Sequence, residues 1–120
     1  MEPEGFDDLA RSLASGKRET NQSMSGSICD ALLAPTPGKL PFAILSQKLS
    51  GVLTVSDAEV RQAIRFAFEE LKLVVEPGGA VALAALLSGC FPVNGKSVAI
   101  ILSGGNIDRA LFAEILQEKD

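Results

Sequence analysis

The residues best able to do chemistry fall into three short stretches. "LSGGN", residues 102–106, ends an apolar run on the hydroxyl of Ser103 and then removes the side chains at Gly104 and Gly105. A hydroxyl can donate or accept a hydrogen bond, and glycines let backbone turn sharply or approach a ligand closely. "VVEPGGA", residues 74–80, has the same shape: an apolar run, the acid Glu76, a proline, two glycines. "EPEGFDD", residues 2–8, holds four acids in seven positions. Glu2 and Asp8 within it are oxygen ligands of the kind a hard cation prefers. Each stretch also has a plain structural reading. The first is a strand-to-helix turn capped by Asn106 or Ser103. The second places a carboxylate at a helix start, where the dipole favours it, and the third is the acidic first turn of a helix.

The elements that must position these residues can be read from periodicity. "GVLTV" is a β-branched run suited to a buried strand at 52–55. "SDAEVRQAIRFAFEELKL" then opens on a capping box, Ser56 with Glu59, and Val55 and Val60 are spaced as its hydrophobic staple. Val60, Ile64, Ala67, Phe68 and Leu71 recur at helical spacing, with Arg61, Arg65 and Glu69 opposite. The helix from about Pro77 to Ser88 is apolar nearly all round, so it must be buried; Pro77 suits its first position and Gly89 its end. "SVAIIL", 97–102, reads as a continuous apolar strand, and 27–33 as a third candidate. "NIDRALFAEILQEK" closes the chain as an amphipathic helix. Nearer the start, Phe6, Leu9 and Leu13 suggest a short helix stopped by Gly16, and "FAILSQKLSG" another closed by Gly51. "KRETNQSMSG" and "CFPVNGK" are loop and turn. The alternation is that of an α/β architecture, a partial parallel sheet with flanking helices. Two or three strands are few for such a sheet, so the 120 residues read as a single partial α/β domain, part of a larger one.

Composition narrows the function classes. Hydrophobic residues make up 47% of the chain, enough for a core. A net charge of −4 argues against nucleic acid, which needs clustered Lys and Arg. The longest fully apolar run, "AVALAALL", falls far short of the roughly 20 residues that cross a bilayer. With no histidine, no His-based triad, zinc site or His general base can be built from these residues. Cys29 and Cys90 belong to no CxxC pair, and the plain reading of each is a buried free thiol. No signal-peptide pattern opens the chain, so a cytoplasmic location is expected.

"VVEPGGAVALAALLSG" followed by "GKSVAIILSGGNID" resembles the C-terminal part of the threonine dehydratase and serine racemase family, pyridoxal-phosphate enzymes of fold type II. "EPEGFDD" resembles the segment just past that family's glycine-rich phosphate loop, and "VLTVSDAEVRQAI" the strand and capped helix before its EP motif. The resemblance implies that Ser103 hydrogen-bonds the cofactor's pyridine nitrogen, that Gly104 brings backbone past the ring edge, and that Glu76 sits near the ring. It implies a divalent cation, Mg2+ or Ca2+, held by Glu2, the backbone carbonyl of Phe6, and Asp8. It also implies a small amino-acid substrate and a homo-oligomer. In the parent reaction a lysine forms the Schiff base and takes the substrate α-proton. Loss of the β-hydroxyl from L-threonine or L-serine then leads to a 2-oxo acid and ammonia.

One departure matters. The family's active lysine stands in a serine-aromatic-lysine context, and none of Lys17, Lys39, Lys48, Lys72, Lys96 or Lys119 does. The glycine-rich phosphate loop has no counterpart either. The expectation is therefore a C-terminal portion of such an enzyme, without the family's regulatory domain, inactive alone. A serine racemase parent and a non-catalytic, self-associating module are the alternatives.

Overall fold

The computed structural model describes residues 1–118, and Lys119 lies outside the described residues. In chain order the elements are β1 (Glu2–Pro3), α1 (Asp8–Ser15), a 3-10 turn (Asp30–Leu32), α2 (Lys39–Lys48), β2 (Thr54–Val55), α3 (Asp57–Glu69), α4 (Pro77–Leu87) and α5 (Arg109–Gln117). The fold is α/β, with one small parallel sheet in which β1 pairs with β2, Glu2 opposite Thr54 and Pro3 opposite Val55. The ladder shows why a proline is tolerated. Glu2 and Glu4 donate their N–H groups to the Leu53 and Val55 carbonyls, both at 2.9 Å, so the donor that Pro3 lacks falls on the side away from the ladder.

The capping box forms as the sequence indicates. The Glu59 N–H donates to Ser56 Oγ at 3.3 Å, and the Ser56 N–H donates to Glu59 Oε2 at 2.7 Å. Val55 and Val60, the staple, are fully buried. From there Val60, Ala63, Ile64 and Ala67 turn one face of α3 onto α4. Phe68 leaves the expected stripe and meets Phe112 of α5 edge-on, ring centres 5.4 Å apart. Leu71 lies past the helix end and is exposed. On the far side Arg61 joins α3 to α5 through Glu114, at 2.8 Å, and Glu118. α4 is buried through Gly79, Ala80, Val81, Leu83, Ala84 and Ala85, whose small side chains let neighbours come close on several sides.

Four expectations are corrected. Residues 97–102 form no strand ladder among the described residues; Ile100 and Leu102 lean on the core while Ile101 is 82% exposed. The side chains alternate at 100–102, but a strand also needs a backbone neighbour, and the β1–β2 pair does not supply one. Residues 27–33 form no strand but carry the 3-10 turn at Asp30–Leu32, with the Asp57 carboxylate accepting just before it from Ser27 Oγ at 2.6 Å and from the Ile28 N–H at 3.0 Å. In α1 the buried side chains are Asp8 and Ser12, with Phe6 buried just before it. Ser12 Oγ explains this: it donates to the Asp8 carbonyl at 2.5 Å and accepts from the Glu19 N–H at 2.7 Å, so α1 docks its polar face on the following loop. Cys29 is buried, and burial pushes its thiol up to about 11, but Cys90 is exposed beside Ser88.

No helix among the described residues is long and apolar enough to cross a membrane.

Candidate functional site

Glu76 is the last residue before α4, in an extended conformation that lets Pro77 start the helix. Its carboxylate makes no cap to α4. It reaches instead to the loop after residue 102, where Oε2 accepts from the Asn106 N–H at 3.0 Å. The Glu76 backbone N–H donates to the Gly104 carbonyl at 3.2 Å. The glycines of the two stretches meet across this contact. A Cβ on Gly104, whose φ is +83°, would lie 2.4 Å from the Glu76 carboxyl carbon, and a Cβ on Gly79 would lie 1.9 Å from the Ser103 carbonyl oxygen. "VVEPGGA" and "LSGGN" are therefore one interlocked structure, in which each requires the other's missing side chains.

This lock leaves Ser103 in a particular state. Its carbonyl is fixed against α4, while the residue is exposed and, among the described residues, its hydroxyl has no hydrogen-bond partner. A free hydroxyl beside side-chain-free backbone can serve a flat polar ligand as a single donor or acceptor. The local reading of Ser103 or Asn106 as the cap of the closing helix is corrected. Asp108 caps α5, its Oδ1 accepting from the Ala110 and Leu111 N–H groups at 2.9 Å each.

The acidic stretch is built differently. Glu2 lies on β1, and its two carboxylate oxygens accept the Leu9 and Ala10 N–H groups of α1, both at 2.9 Å. A turn at Gly5, with the Phe6 N–H on the Pro3 carbonyl at 3.1 Å, folds the chain back so that Asp8 comes near Glu2. Asp8 is buried and its Oδ1 accepts from Asn21 Nδ2 at 2.7 Å. Burial pushes the Glu2 carboxyl up and the negative charge of Asp8 adds to this, against the two N–H bonds that favour the ionised form. Among the described residues no three His, Cys, Asp or Glu side chains cluster as a metal site. Glu2 and Asp8 are thus brought together, with the Glu2 oxygens already serving the start of α1.

Residues 1–104 match the family described as "Pyridoxal-phosphate dependent enzyme". The chain belongs to that family. Among its relatives in the pyridoxal-phosphate family, serine racemase from Dictyostelium discoideum is 38% identical over 96% of this chain. Phenylserine dehydratase from Ralstonia pickettii is 39% identical over 97% of it. Each alignment takes in 36% of the relative, so the chain spans about a third of the length of the curated relatives it matches. The crystal structure of a T.th. threonine deaminase superposes with a TM-score of 0.82 at 38% identity, covering 89% of this chain and 36% of that one. The architecture is thus that of the fold type II pyridoxal-phosphate enzymes, over about a third of their length.

Two features of the site escaped the sequence. The backbone N–H of Asn106 is the anchor for Glu76, and backbone groups leave no trace in side-chain patterns. The 3-10 turn packs on the start of α4: a Cβ on Gly78 would meet Ala31 Cβ at 3.3 Å and Leu32 Cγ at 3.5 Å. The signal was available in "PGG", where the Ser103 contact accounts for Gly79 and leaves Gly78 to be explained.

Proposed function

We propose that this chain supplies the pyridine side of a pyridoxal-phosphate site in an ammonia-lyase acting on a β-hydroxy amino acid such as L-threonine or L-serine. The observation that carries the reading is the unpartnered, exposed hydroxyl of Ser103 on a loop whose backbone is fixed by Glu76 and Gly79. These residues fit the cofactor's ring edge: one neutral hydroxyl for the nitrogen and no side chains at the next two positions. Bound there, pyridoxal phosphate supplies the electron sink for bond breaking at the substrate α-carbon. Ser103 Oγ would hold the ring nitrogen by a hydrogen bond and, being a neutral donor, would not favour a full positive charge there. That tempers the sink and suits elimination of a β-hydroxyl. Gly104 and Gly105 let the Glu76 carboxylate and the Val74 carbonyl close on the loop, and α4, buried behind them, keeps the loop from yielding.

The Schiff-base lysine belongs to residues outside these 120. Among the described lysines, Lys17 pairs with Glu19, Lys72 donates to the Glu69 carbonyl, and Lys96 stands over the Phe91 ring. The 120 residues then make one partial α/β domain, inactive alone, cytoplasmic, and working within a homo-oligomer. Exposed apolar side chains such as Leu40, Ile44 and Ile101 support the need for further cover. The finer reading of the acidic stretch assigns Mg2+ or Ca2+ to Glu2, the Phe6 carbonyl and Asp8. The support is two adjacent carboxylates in a partly desolvated place, a repulsion that a cation relieves.

A second reading, serine racemase, is favoured by the 38% identity to the Dictyostelium discoideum enzyme. One experiment separates the readings. The chain replaces the matching third of the T.th. threonine deaminase, and the chimera is given pyridoxal phosphate with L-threonine or L-serine. A lyase yields 2-oxobutyrate or pyruvate with ammonia, and a racemase yields D-serine. The 120-residue chain alone is expected to yield none of these, and keto acid formed by it would contradict the assignment of the lysine elsewhere.

A further inference from the structure

We propose that Glu76 is the positioning residue of the Ser103 loop, a clasp that holds the hydroxyl where a pyridine nitrogen can meet it. The inference rests on the cofactor reading above and adds a role for Glu76 that acts through Ser103. In a parallel sheet, a loop at a strand end inherits its place from the ladder before it. Residues 97–102 make no ladder among the described residues, and Ile100 and Leu102 pack on the core just before Ser103. On the other side Asp108 serves α5, not the loop.

Glu76 holds the loop on the far side of Ser103. It binds the loop twice, its N–H on the Gly104 carbonyl at 3.2 Å and its Oε2 on the Asn106 N–H at 3.0 Å, so the bonds bracket Gly104 and Gly105. Its carboxyl carbon fills the place where a Gly104 side chain would begin, 2.4 Å from an ideal Cβ. It is itself seated on α4, the most buried helix of the chain, through Pro77 and Gly79. A carboxylate at a helix start ordinarily bonds the helix's own free N–H groups. Here it makes no such bond, so α4 lends its rigidity to the loop through a side chain that its own cap does not use.

The test uses the threonine deaminase chimera, free of pyridoxal phosphate and isotopically labelled in these 120 residues, with pyridoxine 5′-phosphate, which lacks the aldehyde and so forms no Schiff base with lysines. Two quantities are read by NMR: hydrogen exchange at the Asn106 N–H, and affinity from the shifts of the Ser103 to Asn106 amides. Glu76→Ala is expected to speed that exchange about tenfold and to weaken binding about tenfold, whereas Glu76→Gln, which keeps an oxygen acceptor, stays within about twofold of the parent. Should Glu76→Ala not fold, Glu76→Asp, too short to reach Asn106, stands in for it. Unchanged exchange at Asn106, or equal binding by the alanine and glutamine variants, overturns the clasp while leaving the cofactor reading intact. Absence of shifts at these amides in the parent chimera overturns the cofactor reading, and the positioning role falls with it.

Discussion

Replacing Gly79 by alanine puts a methyl group 1.9 Å from the Ser103 carbonyl oxygen, against backbone that cannot swing aside as a side chain could. The expected cost in urea unfolding is about 3 kcal/mol, while Gly51→Ala, with nothing within 4 Å, changes stability by less than about 1 kcal/mol. Glu2 makes a pH argument with a definite sign. Its carboxyl is raised above the usual 4.5, first by burial and then by Asp8, so folding favours its protonated form. The stability this brings is fully present below 4.5 and is lost as pH rises through the folded value. Unfolding midpoints of the parent and of Glu2→Gln should therefore diverge across that window, with the parent losing ground as pH rises. Midpoints that stay parallel would show that Glu2 is not desolvated. The two cysteines separate cleanly at this scale: a thiol reagent should label Cys90 in the folded chain and Cys29 only on unfolding.

At the scale of elements, the sequence was most legible where a local code exists. Ser56 with Glu59 announces a helix start in four residues, and Val55, Val60, Ala63, Ile64 and Ala67 are buried as that start requires. Ser56→Ala should cost about 1 kcal/mol, measured by thermal or urea unfolding, because it removes one of two reciprocal bonds. Pro77 at the first position of α4 and Asp108 as the cap of α5 follow the same kind of local rule, though Asn106 and Ser103 were the caps expected for α5. Strands were less legible, for a physical reason. Residues 97–102 have the composition of a buried strand, yet a ladder is a property of two segments, and one sequence window cannot reveal an absent neighbour. The turn at 30–32 depends on Asp57, far along the chain, which no local pattern near Ser27 encodes. The site divides the same way. Ser103, Gly104 and Glu76 could be marked from their stretches, but their interlock is tertiary.

At the scale of the whole molecule, the chain matches about a third of its relatives' length, and its surface reflects this. Beside the unladdered segment lies an apolar cavity of about 180 Å3, lined by Met1, Ala85, Phe91, Val98 and Ile100 among others. Ile101, 82% exposed, lies in the same segment. Ile101→Asp should leave the stability of the 120-residue chain within about 0.5 kcal/mol, because little apolar area is lost from the fold. The same change should abolish activity of the threonine deaminase chimera if that surface is covered there. The most direct test of the central claim uses the chimera's cofactor and the Ser103 hydroxyl. Ser103→Ala should lower its turnover of L-threonine about 10- to 100-fold, the worth of one good hydrogen bond in a dry site, and shift the absorption of the bound pyridoxal phosphate. An alanine chimera that matches the parent in both turnover and spectrum would contradict the assignment of Ser103 to the pyridine nitrogen.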